Sequence, residues 1–197
     1  MKFIIPIEPL PAPRTSYSKE TGKLSGRAIM PKAYRDWRNR ANEWLETWLE
    51  KTDYQLVKEL LTMPNGNYFK EPRRDSLGHI KELVGKDNTL RIDYKPRSFD
   101  PYFKGYEVQA VFILPRTKLD KNGNPRNISR DDTYFPLSNH YGDIDNYLKS
   151  TFDLFFQNDT FKYYGLDDRY IQKVTATKLI CDEDEEPHIE MEMKLYG

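Results

Sequence analysis

Residues 142–168, GDIDNYLKSTFDLFFQNDTFKYYGLDD, are the stretch around which the chain is organised. The stretch opens with two aspartates one residue apart, Asp143 and Asp145, and closes with the adjacent pair Asp167 and Asp168. Between them, apolar residues recur at helical spacing, which predicts a helix that begins near Asp143 and faces a core. The apolar stripe of this helix consists of Ile144, Leu148, Phe152 or Thr151, and Phe155.

A second stripe of the same helix is polar. Residues four apart share a helix face, so Asp145 lies one turn before Lys149, and this stripe contains residues 145, 149 and 153. After the helix we expect the chain to turn back through residues 163–165 and to deliver Asp168 to the start of a strand. Three carboxylates from two segments can then converge on one cation, those of Asp143, Asp145 and Asp168.

Carboxylate oxygens are the ligands that hard cations prefer, so the sequence predicts a Mg²⁺ site in which Mn²⁺ is expected to substitute. Bound Mg²⁺ lowers the pKa of an attacking water and offsets the charge of a phosphodiester transition state. Lys149 is expected to hold a phosphate or to stabilise the leaving oxygen as a point charge. The pattern therefore predicts metal-assisted phosphodiester hydrolysis, with four catalytic residues: Asp143, Asp145, Lys149 and Asp168.

Each of these residues also has an ordinary structural explanation. Asp143 can be a helix N-cap, Asp145 a first-turn acid favoured by the helix dipole, and Lys149 an i, i+4 salt-bridge partner. Residues 167–168 can be a solvated turn. A calcium-binding EF-hand is excluded, because the third ligand and the glycine of its loop are replaced here by Tyr147 and Leu148. Only the combination of residues points to a catalytic site.

The combination of D-I-D-N-x-x-K at 143–149 with G-x-D-D at 165–168 resembles the RusA family of Holliday junction resolvases from phages and prophages. Other features of that family follow in order along the chain. They are a proline-rich turn that ends at Arg14, a helix with Y-x-x-W at 34–37, and a strand that ends in Lys178.

The resemblance covers residues 1–50 and 104–196, and it implies an α+β fold and a Mg²⁺-dependent endonuclease. Such an enzyme resolves four-way DNA junctions by symmetric nicking during recombination and repair in a bacterial or phage-infected cell. A homodimer is implied as well, because two strands must be nicked symmetrically. The segment 51–103 and the long loop before Asp143 depart from the family pattern, so that segment is treated as an insertion.

The resemblance also implies roles for single residues of this chain. Two sets follow from it: the metal ligands Asp143, Asp145 and Asp168, and the residues that serve cleavage or phosphate contact, Lys149 and Lys178. Two alternatives stay open beside junction resolution. One is a DNA-binding protein that recognises junctions without cutting them, and the other is a metal-dependent nuclease that acts on other branched or flap DNA.

Charge is distributed unevenly along the chain. Its 31 basic and 31 acidic residues give a net charge of zero, which is unusual for a DNA-binding protein. Residues 182–196 hold seven of the acids and one lysine, so the remaining 30 basic and 24 acidic residues give +6. We interpret the acidic run as a solvated hairpin turn.

A long polar loop at 116–141 precedes the acidic motif and is basic. Loops of this length are usually functional or disordered, and basic side chains beside a metal site neutralise a phosphate backbone. Together with Arg14 at the start of the polar arm 14–27 and with Lys178, its side chains are the predicted DNA contacts: Arg116, Lys118, Lys121, Arg126 and Arg130.

Periodicity and turn signals predict a single α+β domain over residues 1–197 with a mixed sheet and two main helices. The expected order is strand 2–8, helix 31–51, insertion, strand 106–114, the helix from Asp143, strand 170–180 and strand 187–195. Pro6 places the first strand at an edge, and the last strand is expected to pair through the acidic turn. Within the insertion we expect helices at 54–62 and 76–84 and a short strand at 90–94.

The first main helix carries aromatic residues at helical spacing, which favours a core face over base stacking. Its arginines are either phosphate contacts or a solvated face, and they are Arg35, Arg38 and Arg40. Cys181 is the single cysteine of the chain, which excludes an internal disulfide and fits a reducing cytoplasm. No apolar run approaches the ~18 residues that a membrane span needs, and the N-terminus lacks a signal-peptide pattern.

Overall fold

The central strand of the sheet is the apolar run YEVQAVFIL, which forms β6 (Tyr106–Leu114). Every second residue of this run, from Tyr106 to Leu114, is buried and faces the core, whereas Gln109 on the other face is exposed. On one side β6 pairs antiparallel with β10 (His188–Leu195), and on the other side it pairs parallel with β9 (Ile171–Ile180). β1 (Lys2–Ile5) pairs with β10, so the sheet order is β1-β10-β6-β9.

The computed structural model describes residues 1–13, 30–63, 65–116, 118–119, 122, 125–126, 141–182 and 184–197. These residues form an α+β fold with a mixed sheet and two main helices, α1 (Lys32–Lys51) and α3 (Ile144–Phe156). Two short helices follow them in the chain, α2 (Gln55–Leu61) and α4 (Asp159–Tyr163). The predicted fold class is confirmed at this level.

Helix α1 begins directly after Pro31, whose fixed φ suits the start of a helix. Its core face contains Tyr34 and Trp37, as the aromatic spacing predicts, and the Trp37 indole Nε1 donates to the carbonyl of Glu8 at 2.8 Å. Trp48 is only half-buried and packs on Phe3 with ring centroids 4.7 Å apart. The helix therefore ties the N-terminal strand to the core.

Helix α3 buries part of the predicted stripe, since Thr151 and Phe155 face the core as expected. The stripe that contains Ile144, Leu148 and Phe152 is only half-buried, and the deeply buried face consists of Tyr147, Ser150, Thr151, Leu154, Phe155 and Phe156. Tyr147 packs against Phe112 of β6 with centroids 5.3 Å apart. Ser150 and Thr151 can be buried because their hydroxyls each donate to the Tyr147 carbonyl at 2.9 Å.

The insertion contains α2, which confirms the helix predicted at 54–62, and two antiparallel strand pairs, of which the second is a hairpin. β2 (Lys70–Pro72) pairs with β5 (Tyr94–Phe99), and β3 (Glu82–Val84) pairs with β4 (Leu90–Ile92). The predicted helix at 76–84 is wrong. An aspartate turn prevents it, because Asp75 accepts hydrogen bonds from the backbone of residues 77 and 79 and Gly78 adopts a φ of +88°.

Two further strand predictions need correction. The first strand ends at Ile5 rather than at residue 8, since Pro6 has no N–H to donate to a sheet. The last strand does not pair with the strand before it through the acidic turn, because β6 lies between β9 and β10. The predicted edge position of the first strand is confirmed.

Candidate functional site

Three charged side chains lie in a row on the side of α3 that is turned away from the buried face. Asp145 and Lys149 are exposed, and the Asp153 side chain is only 16% exposed. The Lys149 ammonium donates to the Asp153 carboxylate at 3.3 Å. The predicted helical spacing of Asp145 and Lys149 is confirmed, and the ion pair of Lys149 is with the acid one turn later in the chain.

Asp153 is the centre of a hydrogen-bond network that joins the two main helices. Its second oxygen accepts a hydrogen bond from the Gln157 amide at 2.9 Å. The Gln157 carbonyl in turn accepts one from the Arg38 guanidinium of α1 at 2.7 Å. Two cationic groups, those of Lys149 and Arg38, are thus held on either side of one carboxylate and its amide partner.

Tyr34 lies under this network. It is 3% exposed, and its hydroxyl has no hydrogen-bond partner among the residues that the structure describes. Burial raises the pKa of Tyr34, the charge of Asp153 raises it further, and the charge of Arg38 opposes this effect. A buried hydroxyl without a hydrogen-bond partner lowers the stability of the fold, so Tyr34 is a polar group that calls for a structural explanation.

The second acidic segment follows α4 and turns sharply at Gly165, which has a φ of +67°. Asp167 caps a short 3₁₀ turn by accepting the backbone N–H of Arg169 at 3.1 Å. Asp168 is exposed and stands next to it. Partial burial raises the pKa of Asp168, and the charge of Asp167, a hydrogen bond with Asp167 and the charge of Asp153 act in the same direction.

We expect Asp167→Asn to lower the pKa of Asp168 more than Asp153→Asn does. Asp167 contributes both a charge and a hydrogen bond, whereas Asp153 contributes a charge alone. Carboxyl ¹³C NMR titration of the three proteins measures the effect, with Asp182→Asn as the control. If Asp167→Asn leaves the pKa of Asp168 unchanged, the two carboxyl groups do not interact as the structure shows.

The raised pKa also fixes the sign of one contribution to stability. A carboxyl whose pKa is higher in the folded than in the unfolded protein favours folding when it is protonated. This contribution is fully present at pH values below the pKa of the unfolded state. That contribution is lost as the pH rises through the raised pKa of Asp168. Ionised Asp168 is therefore an unfavourable charge in the folded protein, and a bound cation would relieve it.

The three carboxylates predicted to converge come from two segments: Asp143 and Asp145 lie at the start of α3, and Asp168 opens the short turn before β9. α3 runs antiparallel to β9: Lys178 of β9 donates to the carbonyl of Gly142 at 2.8 Å, just before α3 begins. At the other end of α3, Phe156 stacks on Tyr106, whose strand partner is Ile171, three residues beyond Asp168. Asp143 and Asp168 thus lie near opposite ends of the helix, about 20 Å long.

The expected three-carboxylate metal cluster is accordingly not formed by the residues that the structure describes. No group of three or more His, Cys, Asp or Glu side chains among them is placed to hold a metal ion. Mg²⁺, however, commonly uses one or two protein carboxylates and takes its other ligands from substrate phosphate and water. The adjacent carboxylates of Asp167 and Asp168, of which Asp168 is exposed and has a raised pKa, fit this smaller donor set.

Two of the predicted DNA contacts lie among the described side chains. Lys178 is half-buried, and its bond to Gly142 fixes the entry into α3. Arg116 is half-buried, and its Nε finds no partner among the described residues. The backbones of Lys118 and Arg126 are register partners in the short antiparallel strand pair β7 (Lys118–Leu119) and β8 (Pro125–Arg126).

The other predicted DNA contacts lie outside the described residues, and they are Arg14, Lys121 and Arg130. Asp153 and Arg38 belong to the site although they were not predicted as site residues, and the sequence contained a signal for both. Asp153 continues the i, i+4 spacing of Asp145 and Lys149, and Arg38 belongs to the basic first half of α1. What the sequence did not show is the amide of Gln157 that links them.

The chain was compared with protein-family models, curated proteins and solved structures. No protein-family model, curated protein or solved structure matches the chain. In the described part of the chain, no helix has both the length and the apolar character that crossing a membrane requires.

Proposed function

We propose that this protein is a Mg²⁺-dependent, structure-selective endonuclease that cuts four-way DNA junctions, as the resemblance to the RusA family implies. One observation carries the proposal: carboxylates and cations alternate along one surface of α3. Asp145, Lys149 and Asp153 follow at helical spacing, Arg38 joins from α1, and the charge of Asp153 reaches Asp168. A surface of this kind suits an anionic diester that is held by cations beside carboxylates.

The cations of the surface serve to bind and orient phosphate. Arg38 presents a planar guanidinium that matches phosphate geometry, and Lys149 presents a mobile point charge. Asp153 keeps both in place, directly for Lys149 and through Gln157 for Arg38. When DNA binds, we expect Lys149 to exchange its exposed ion pair for a phosphate oxygen, since exposed ion pairs contribute little stability.

The carboxylates are expected to hold the cofactor and to order water. Asp145, with Asp143 at the start of α3, and the Asp167–Asp168 pair at its other end are the candidate ligands. Bound Mg²⁺ supplies charge neutralisation and a water of lowered pKa, and Mn²⁺ is expected to replace it. A cation held at either end of α3 would take its other ligands from substrate phosphate and water, because no group of three or more carboxylates among the described residues is placed to hold it alone.

The remaining parts of the proposal follow from the resemblance. A homodimer presents two such surfaces, and a two-fold assembly matches the symmetry of a four-way junction. The basic loop at 116–141 is proposed to contact the DNA arms. The site of action is proposed to be the cytoplasm of a bacterial or phage-infected cell, during DNA recombination or repair.

The second candidate is a junction-binding protein that does not cut. The placement of Asp143 and Asp145 at the start of α3 and of Asp168 beyond its other end favours it, because a catalytic metal is held most firmly by converging ligands. A third candidate, a metal-dependent nuclease for flap or other branched DNA, uses the same surface. Substrate selectivity alone separates it from junction resolution.

The deciding experiment is a cleavage assay on end-labelled four-way junction, 5′ flap and linear duplex of the same sequence. We expect symmetric nicks in the junction with Mg²⁺ or Mn²⁺ and no product with EDTA. Asp36→Asn, an exposed acid of α1 outside the site, is the matched control and should cut like the wild type. Binding without product under every metal condition identifies the non-catalytic candidate, and preferred cutting of the flap identifies the third.

A further inference from the structure

A buried lysine of the insertion lies against the turn that carries the acidic pair. Lys70, the first residue of β2, is 8% exposed. Its ammonium donates to the carbonyl of Gly165 at 2.8 Å. The same Nζ lies 5.1 Å from the ring centroid of Tyr94, 4.9 Å from that of Tyr170 and 5.4 Å from that of Phe69.

We propose that Lys70 is a positioning residue that holds the Asp167–Asp168 turn from both flanks. Gly165 lies two residues before Asp167, and Tyr170 lies two residues after Asp168. One ammonium contacts both of these flanking residues. The position of the turn is thereby coupled to the insertion, and the catalytic consequence of this coupling rests on the proposed nuclease function.

The upstream flank is fitted closely to the insertion. The φ of +67° at Gly165 favours glycine, and a Cβ there would meet Lys70 Nζ and Tyr94 Cε2 at 3.1 Å each. The Tyr94 hydroxyl donates to the carbonyl of Tyr164 at 2.7 Å. Two consecutive carbonyls before the acidic pair are therefore held by two side chains of the insertion.

The downstream flank is held by packing. Tyr170 is 9% exposed and lies edge-on to Phe69 and Phe103, with centroids 6.0 and 5.7 Å away. Phe69 and Lys70 are consecutive, so one short stretch of the insertion packs on Tyr170 and binds Gly165. A buried ammonium is favourable here because a carbonyl and aromatic faces replace its water.

The hairpin of β3 and β4 in the insertion supports the same segment. Asp87 pairs with Lys162 of α4 at 3.5 Å, and Glu82 accepts a hydrogen bond from the Tyr163 hydroxyl. These contacts are more exposed than those of Lys70 and are expected to contribute less. The deep contact of Lys70 is therefore the one whose loss should move the acidic pair.

The test compares Lys70→Met and Tyr94→Phe with the control Lys86→Met, an exposed lysine of the same insertion. Lys70→Met keeps the length of the side chain and removes the donor, and Tyr94→Phe removes only one hydroxyl. Amide hydrogen exchange reports on two bonds of the turn, Leu166 N–H to Phe161 at 2.9 Å and Tyr170 N–H to Asp167 at 3.2 Å. We expect exchange about tenfold faster at both in Lys70→Met, a smaller change in Tyr94→Phe, and none in the control.

Two further readouts separate positioning from a general loss of structure. Amide exchange in β6 and β10 should stay as in the wild type in Lys70→Met, while exchange at Leu166 and Tyr170 rises. In cleavage of a four-way junction, kcat should fall by as much as about 10²-fold while junction binding is unchanged, because a small displacement of a catalytic group acts on the chemical step.

Unchanged exchange at Leu166 and Tyr170 in Lys70→Met overturns the proposal, and so does exchange that rises equally in β6 and β10. Full kcat in a variant whose turn is loosened overturns the catalytic part of it. If the wild-type protein cuts none of the DNA substrates, the proposed function fails. The exchange measurements then still decide whether Lys70 positions the turn.

Discussion

Asp145→Asn should abolish the cleavage of four-way junctions while the protein continues to bind them. The substitution keeps the size of the side chain and removes a negative charge from the exposed row on α3. A candidate ligand for the cation is lost, and loss of one preorganised electrostatic contact typically lowers kcat by about 10²–10³-fold. Binding should be retained or tightened, because a charge that repels phosphate has been removed.

Single-turnover cleavage with Mg²⁺ and gel-shift binding in Ca²⁺ measure the two properties separately. Lys149→Ala should also lose cleavage, since its ammonium is proposed to contact phosphate. Asp36→Asn carries the same change of charge on the neighbouring helix and serves as the control. Cleavage at the wild-type rate by Asp145→Asn would exclude α3 as the catalytic surface, and full activity of Lys149→Ala would leave that lysine as a salt-bridge partner of Asp153.

Phe69→Ala should destabilise the whole fold, although Phe69 lies in the insertion. Its side chain is fully buried, stacks on Phe103 with centroids 4.2 Å apart, and lies edge-on to Tyr106 of the central strand. Replacing a core phenylalanine with alanine usually lowers the free energy of unfolding by about 3–5 kcal/mol. The insertion is thus expected to unfold together with the sheet.

Urea unfolding followed by tryptophan fluorescence measures this loss, since Trp37 lies in the common core. Leu77→Ala is the matched control, because Leu77 belongs to the same insertion and is 79% exposed. An exposed substitution should change the free energy of unfolding by no more than about 0.5 kcal/mol. A loss below about 1 kcal/mol in Phe69→Ala, or a separate unfolding transition, would make the insertion an independent unit.

The spacing of apolar residues and the helix-start signals determined the main elements. α1 begins after Pro31, α3 begins after Asp143, and the run at 106–114 forms the buried strand, all as predicted. These features depend on local geometry, because proline, N-cap residues and side-chain periodicity act within one or two turns. The mixed sheet was predictable for the same reason, since an apolar run on a central strand needs a neighbour on each side.

Sequence patterns gave the wrong structure in two places, the segment 76–84 and the pairing of the last two strands. Residues 76–84 show a helical spacing, yet the turn at Asp75 and Gly78 and the pairing of β3 with β4 make a hairpin. The strands at the C-terminal end look like a hairpin joined by the acidic turn. In the structure β9 and β10 lie on opposite sides of β6 instead, so both edges of the central strand are hydrogen-bonded.

The sequence by itself determined which residues are charged and which of them share a face of α3, because the helix repeat is a local property. Tertiary structure alone decided which of these charges meet. The antiparallel course of α3 and β9 carries Asp168 away from Asp143 and towards Asp153, and packing of α1 on α3 brings Arg38 to Gln157. Lys70 reaches Gly165 across 95 residues of chain. Contacts at such separations follow from how whole faces are buried, and no short-range pattern records that choice.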